Sequence, residues 1–196
     1  MSASLTMPCP RCWSSRTEPG GSQNPCILCA GTGATADQEL GPHYRLSEFL
    51  ASQTAVRRCI PNDPSPEVVG GLQRLVSEVL EPLRPRTGPL QVDSGYRSNN
   101  LNTAVGGSAT SAHRFLYGAS ASDLKPAPGS AVTLRQLFEI IRTSGIPFDQ
   151  LIWEFGHWVH VGQFGPGGRQ SGAVEMIFND GRGYRPFDPD DPRVER

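Results

Sequence analysis

The chain has 196 residues, 37% of them apolar and 19% charged, with a formal net charge of −1 and a pI near 6.4. That length holds one domain with a sizeable core and a small appendage and excludes a multi-domain machine, while the near-zero charge lacks the basic footprint of a nucleic-acid binder. With 22 Gly and 18 Pro the composition is turn-rich but globular, and no apolar run approaches the roughly 18 residues of a membrane span.

The N-terminus, MSASLTMPCPRC, has no basic stretch followed by an apolar core, so no signal peptide is read and the protein is expected to be cytoplasmic when made. Four of the five cysteines follow at once, as Cys9-Pro-Arg-Cys12 and Cys26-Ile-Leu-Cys29. Each CxxC pair turns two thiolates toward one tetrahedral ion, and the intervening stretch is long enough for the second pair to fold back on the first, which is structural-zinc spacing. Disulfides are the competing reading, disfavoured where no secretion signal is read. The loop from Trp13 to Pro25 is rich in Ser, Gly and Pro, so it builds no core and the metal would supply the folding energy. Residues 1–34 are therefore expected to form a zinc-ribbon-like module, with 35–42 as a linker. Arg11 and Arg16 are too few to point to nucleic acid, and the ribbon's partner stays open. Cys59, in an Arg-Arg-Cys-Ile stretch at a helix end, reads as a partly buried structural thiol.

Residues 43–180 carry the pattern of a compact α+β domain. Ser47 before Glu48, Phe49 and Leu50 reads as the cap of a short helix, and Ser65-Pro-Glu starts a longer one. Its apolar residues Val68, Leu72, Leu75, Val79 and Leu83 recur at helical spacing and predict one buried face, ended or kinked by Pro82 and Pro85. Leu90-Gln-Val-Asp reads as a strand. Thr133 caps a helix through Leu134, Leu137, Ile140 and Ile141, which the Gly145-Ile-Pro turn stops. Strands are expected over 150–155, 158–164 and 173–178. Pro and charge then replace apolar residues, so 181–196 is expected to be a poorly ordered tail.

Three of the four histidines fall in stretches that look like sites. His113 lies in Ser111-Ala-His113 with Asp123 downstream, and His157 and His160 lie in Glu154-Phe-Gly-His157-Trp-Val-His160. A catalytic zinc takes three protein ligands and leaves a position for water; His113, Asp123 and His160 can supply such a set, with a nearby carboxylate as general base. Arg97 follows a strand, where a guanidinium can bind a carboxylate, a developing oxyanion or a surface partner.

These residues also carry a resemblance. Tyr44-Arg-Leu-Ser-Glu-Phe49, Pro64-Ser-Pro-Glu67, Ser94-Gly-Tyr-Arg97-Ser, Leu101-Asn-Thr-Ala-Val-Gly-Gly107-Ser, Ser111-Ala-His113, Ala121-Ser-Asp123, Phe148-Asp-Gln-Leu-Ile152 and Trp158-Val-His160-Val occur in the order found in zinc D-Ala-D-Ala carboxypeptidases. Segment 43–164 therefore resembles that family of peptidoglycan peptidases, particularly its small phage and bacterial members. The resemblance implies an α+β fold, a small antiparallel sheet with packed helices of the hedgehog and D-Ala-D-Ala-peptidase type. It implies a catalytic zinc on His113, Asp123 and His160 beside the structural one on Cys9, Cys12, Cys26 and Cys29, with Arg97 stabilising the tetrahedral intermediate. The substrate would be a stem or cross-bridge peptide of peptidoglycan, cut by a carboxypeptidase or an endolysin-type endopeptidase reaching the wall by lysis or in a phage particle.

Two positions depart from the family pattern. The family's Asp usually stands seven residues after the His, whereas Asp123 stands ten after His113, with the additional residues expected to bulge out. Relatives often carry an acid three residues before the last ligand, where this chain has His157. Glu154 is then the favoured base, with His157 as the competing base, a proton donor or a substrate contact. The alternative function is a non-catalytic protein that binds cell-wall peptides through a degenerate site.

Overall fold

The computed structural model describes residues 5–21, 23–165, 174–178 and 183–188, with only the backbone of 174–178. The fold is α+β. Its centre is a six-stranded sheet of β5 (Leu90–Ser94), β6 (Ala119–Pro126), β7 (Gln150–Glu154), β8 (Trp158–Phe164), β9 (Val174–Phe178) and β10 (Tyr184–Pro186), in the order β10-β9-β7-β8-β6-β5. Every pairing is antiparallel except β7 with β9, which is parallel.

One face of this sheet is dry. α3 (Pro66–Leu75) continues through a π-helical turn (Val76–Leu80) into α4 (Glu81–Thr87), and α6 (Leu134–Thr143) packs beside it. Leu72, Leu75, Val79 and Leu83 are completely buried with Phe138 and Ile141, against Leu124, Leu151, Trp153, Val159 and Val161 of the sheet. Burying each such side chain is worth about 1.5–3 kcal/mol, so this layer is where the domain gains its stability. Ser65 caps α3 with Pro66 in its first turn, and Thr133 and Gln136 close a capping box on α6, as their sequences dictate.

Pro82 and Pro85 do not end the long helix. The amide of Glu81 bonds back to the carbonyl of Val76, five residues away, and this widened turn puts Pro82 in the first turn of α4, where its missing N–H costs nothing. Ser47 does not cap either. α1 (Leu46–Leu50) starts after Arg45, and the Ser47 amide and hydroxyl both donate to the Asp37 carboxylate, at 3.0 and 2.9 Å. Cys59, expected partly buried, is exposed at the left-handed end of α2 (Gln53–Arg58).

Two strands of this sheet were not foreseen. The Ala-Ser-Ala-Ser run of β6 lacks the β-branched and aromatic residues that mark a strand. Here its small side chains let the 112–118 segment lie directly on the sheet, where Ala112, Ala119 and Ala121 pack together. Tyr184–Pro186, inside the expected tail, is the edge strand, while Ala173 and residues 189–196 fall outside the described residues. Among the described residues no helix is long and apolar enough to cross a membrane.

At the N-terminus β1 (Thr6–Pro8) pairs with β2 (Ala34–Ala36) around the cysteine loops. A second small hairpin, β3 (Glu39–Gly41) with β4 (Tyr44–Arg45), leads into α1.

Candidate metal centre

The other face of the sheet carries the site. In register, Asp123 of β6 stands opposite His160 of β8, and His160 opposite Ile152 of β7, so these residues share the face away from the core. A bulge in β5 between Val92 and Ser94 brings Ser94 opposite Asp123 and leads into the segment of Gly95 and Arg97. His113 comes down onto the same spot from a 3₁₀ turn, Ala112–Arg114. The ten-residue spacing is absorbed by a second tight turn, Leu116–Gly118, with Phe115, Tyr117 and Gly118 in left-handed conformations and Tyr117 fully exposed.

Three buried ligand atoms converge there. His113 Nε2 is 3.1 Å from Asp123 Oδ1 and 3.1 Å from His160 Nδ1, and the last two are 2.9 Å apart. The outer nitrogens fix the tautomers: His113 Nδ1 donates to the Gly95 carbonyl at 2.7 Å, and His160 Nε2 to Gln150 Oε1 at 3.3 Å. Each ring therefore turns its inner nitrogen toward the Asp123 carboxylate and toward the other ring. Three ligand atoms facing one point, with an outer partner on each ring, could hold a divalent cation. Two His and one carboxylate with separations near 3 Å suit zinc, whose bonds of about 2.0–2.1 Å make a tetrahedral edge of roughly 3.3 Å.

Burial holds His113 below its ordinary value. Burial alone would raise Asp123, but His113 and His160 beside it hold its carboxyl well below the usual range. Asp123 Oδ2 also accepts from Arg97 Nη2 at 3.0 Å, while Arg97 Nε donates to Ser94 Oγ at 3.0 Å. A Cβ on Gly95 would lie 2.6 Å from the Phe49 carbonyl oxygen, so only glycine lets this segment approach closely enough for its own carbonyl to hold His113.

The cluster opens into a groove of about 800 Å³, lined also by Arg97, Glu154, Trp158 and Tyr184. Glu154 lies on the same face as Ile152 and two residues along, about 7 Å by strand rise. Its carboxylate accepts from Trp158 Nε1 at 2.6 Å and from the Tyr184 hydroxyl at 2.9 Å. Tyr184 is the residue that sequence reasoning missed, since nothing in a Pro-rich charged stretch marks a groove residue. Burial and the Glu154 charge push its hydroxyl up to about 12. His157 is exposed in the turn joining β7 and β8, with its ring against Trp158, and does not line the groove.

A second cluster lies between β1 and β2. The sulfurs of Cys9, Cys12, Cys26 and Cys29 fall within 4.8 Å of one another, with Cys9 to Cys26 at 3.8 Å and Cys12 to Cys29 at 3.7 Å. All four are free thiols, and these separations match the roughly 3.8 Å edge of a zinc tetrahedron with 2.3 Å bonds. Trp13 and Ala30, each directly after the second Cys of its pair, are left-handed and turn the chain back. Burial pushes the Cys9 thiol up to about 12. Burial acts the same way on Cys29, but the Gly33 amide donating to its sulfur and the neighbouring thiols bring it down to about 6.

In comparison with protein families, residues 42–162 match Peptidase M15. The match spans well over half of the chain, so the chain belongs to the peptidase M15 family, whose members are zinc-dependent. No curated protein and no solved structure matches it.

Proposed function

Taking membership of the peptidase M15 family as the premise, we propose that this protein is a zinc peptidase that hydrolyses an amide bond in peptidoglycan stem or cross-bridge peptides, as a D,D-carboxypeptidase or an endolysin-type endopeptidase. The observation that carries the reading is the convergence of His113 Nε2, His160 Nδ1 and Asp123 Oδ1, with the rings held by Gly95 and Gln150 and the carboxylate by Arg97. These three would hold the catalytic zinc, and the four cysteines of a ribbon-like module a structural one. When bound, zinc supplies Lewis acidity, polarising a carbonyl and acidifying water.

The remaining work falls to the chain's own side chains. Glu154 takes the proton of the attacking water and passes it to the leaving amine. The hydrogen bonds from Trp158 and Tyr184 orient its carboxylate toward the groove. Arg97, beside Asp123, presents N–H donors to the negative charge that develops on the scissile carbonyl oxygen. His157, exposed outside the groove lining, suits a contact with substrate beyond the reacting bond better than a role as base. Contact with the cell wall would come through lysis or carriage in a phage particle.

The test is incubation of the zinc-loaded protein with purified peptidoglycan, with products identified by mass. Release of terminal D-Ala marks a carboxypeptidase, release of stem fragments an endopeptidase. Stoichiometric binding of muropeptides without any cleavage would replace the enzyme with a binding protein.

A further inference from the structure

Between the cysteine module and the groove runs one short segment, residues 60–63, bonded to both. On the module side, Trp13 Nε1 donates to the Ile60 carbonyl at 2.7 Å, and the Asn62 amide donates to the Pro10 carbonyl at 2.8 Å. Arg11, held by Glu18 through three hydrogen bonds of 2.8 to 3.2 Å, also reaches Asp63 at 3.3 Å. Pro10 and Arg11 lie within the first CxxC turn and Trp13 directly follows it, so their positions depend on the geometry of the cysteine cluster.

On the groove side the contacts fall on the Arg97 segment. Asn62 is completely buried. Its Nδ2 donates to the carbonyls of Leu50 at 3.2 Å and Tyr96 at 3.1 Å, and its Oδ1 accepts from the Ser98 amide at 2.7 Å. Ser98 Oγ donates to the Pro61 carbonyl at 2.7 Å. Tyr96 and Ser98 flank Arg97, whose own amide donates to the His113 carbonyl at 2.8 Å, and Gly95 holds the His113 ring. A buried side-chain amide with three of its hydrogen-bonding positions filled by backbone fixes that backbone, because each bond lost inside leaves a polar group unpaired.

We propose that the four-cysteine module is an abutment for the metal centre: residues 60–63 carry its folded geometry to the Arg97 segment, with Asn62 as the positioning residue. Among the described residues the module has no apolar cluster of its own beyond the four cysteines, so its geometry depends on a metal held there. Loss of that metal frees Pro10 and Trp13, loosens 60–63 and then releases the backbone of 96–98. Arg97 and His113 lose their fixed positions while the sheet beneath them stays intact. The module thereby sets how well the groove is assembled without touching substrate.

Hydrogen exchange on the full-length protein tests this directly, because it reads the segment whether or not the peptidase reading above holds. In Cys12→Ser, with loss of metal from the cysteine cluster verified by metal analysis, the amides of Tyr96, Arg97 and Ser98 should exchange at least tenfold faster, while those of Val159 and Val161 in the central strand stay as in the wild type. Unchanged exchange at 96–98 in that variant overturns the proposal. If Cys12→Ser loses protection throughout, Trp13→Phe decides by the same comparison, since it removes the N–H donor and keeps an aromatic ring there. The kinetic arm rests on the proposed function: Trp13→Phe and Asn62→Ala should lower kcat about tenfold with KM within twofold, because Arg97 acts on the developing charge. A wild type without hydrolytic activity would sink the peptidase reading and leave the exchange result standing.

Discussion

The cysteine cluster and the His113, Asp123, His160 cluster each gather their ligand atoms within 4.8 Å, but they are assembled in opposite ways. The cysteines come from two local turns separated by a loop with no apolar core, whereas the two histidines and the aspartate come from separate elements held together by sheet register and a deep hydrophobic layer. A local cluster depends on its own ion for its geometry; a cluster built on long-range pairing stands on a sheet that holds without its own ion.

Metal removal separates the two most sharply. Stripping the protein with a strong chelator should abolish amide protection at Cys9, Cys26 and Gly33, while Val159, Val161 and Leu124 keep theirs, as read by hydrogen exchange. Equal loss in both regions would erase the distinction. Within the groove, Glu154→Gln should lower kcat by about 10²–10⁴-fold, the usual range for loss of a general base. Metal content should be unchanged, because Glu154 lies outside the converging set; steady-state kinetics with metal analysis checks both.

A smaller effect is expected one layer out. Gln150→Leu removes the acceptor that orients His160 and should weaken metal binding at that site about 10–100-fold, the range for a ligand's supporting partner. Competition with a zinc chelator measures it, and the cysteine site should be unaffected. The smallest effect is on pH. Burial holds His113 below its ordinary value, and its neighbours hold Asp123 well below the carboxylate range. At a given pH the unfolded chain therefore binds more protons at both groups. Their stabilisation is fully present above about pH 6.5 for His113 and about 3.9 for Asp123, and is lost as pH falls through the folded values. Urea midpoints of the metal-free protein should fall steadily from pH 7 to pH 4, and less so in His113→Gln.

The same contrast explains what the sequence disclosed. The CxxC pairs were legible because two-residue spacing within one turn is a local property, and the helices of Ser65 and Thr133 were legible from caps and periodicity. His113, Asp123 and His160 were legible as a possible donor set from their residue types, and the resemblance tied them to one site, since no spacing reveals that a strand at 119–126 will lie against one at 158–164. β6 hides in an Ala-Ser run whose strand character comes from its neighbours on both sides. Tyr184 was illegible for the same reason, its strand being defined only by pairing with β9. Pro82 misled because the usual rule omits the widened turn that accommodates it.

The central claim is that His113, Asp123 and His160 hold a zinc ion on which peptide hydrolysis depends. The most direct test counts zinc per chain in the wild type and in His160→Ala, on the same samples assayed against peptidoglycan. About two zinc ions falling to about one, with hydrolysis lost and the cysteine site still filled, is the expected result. Unchanged zinc content, or hydrolysis persisting in His160→Ala, would contradict it.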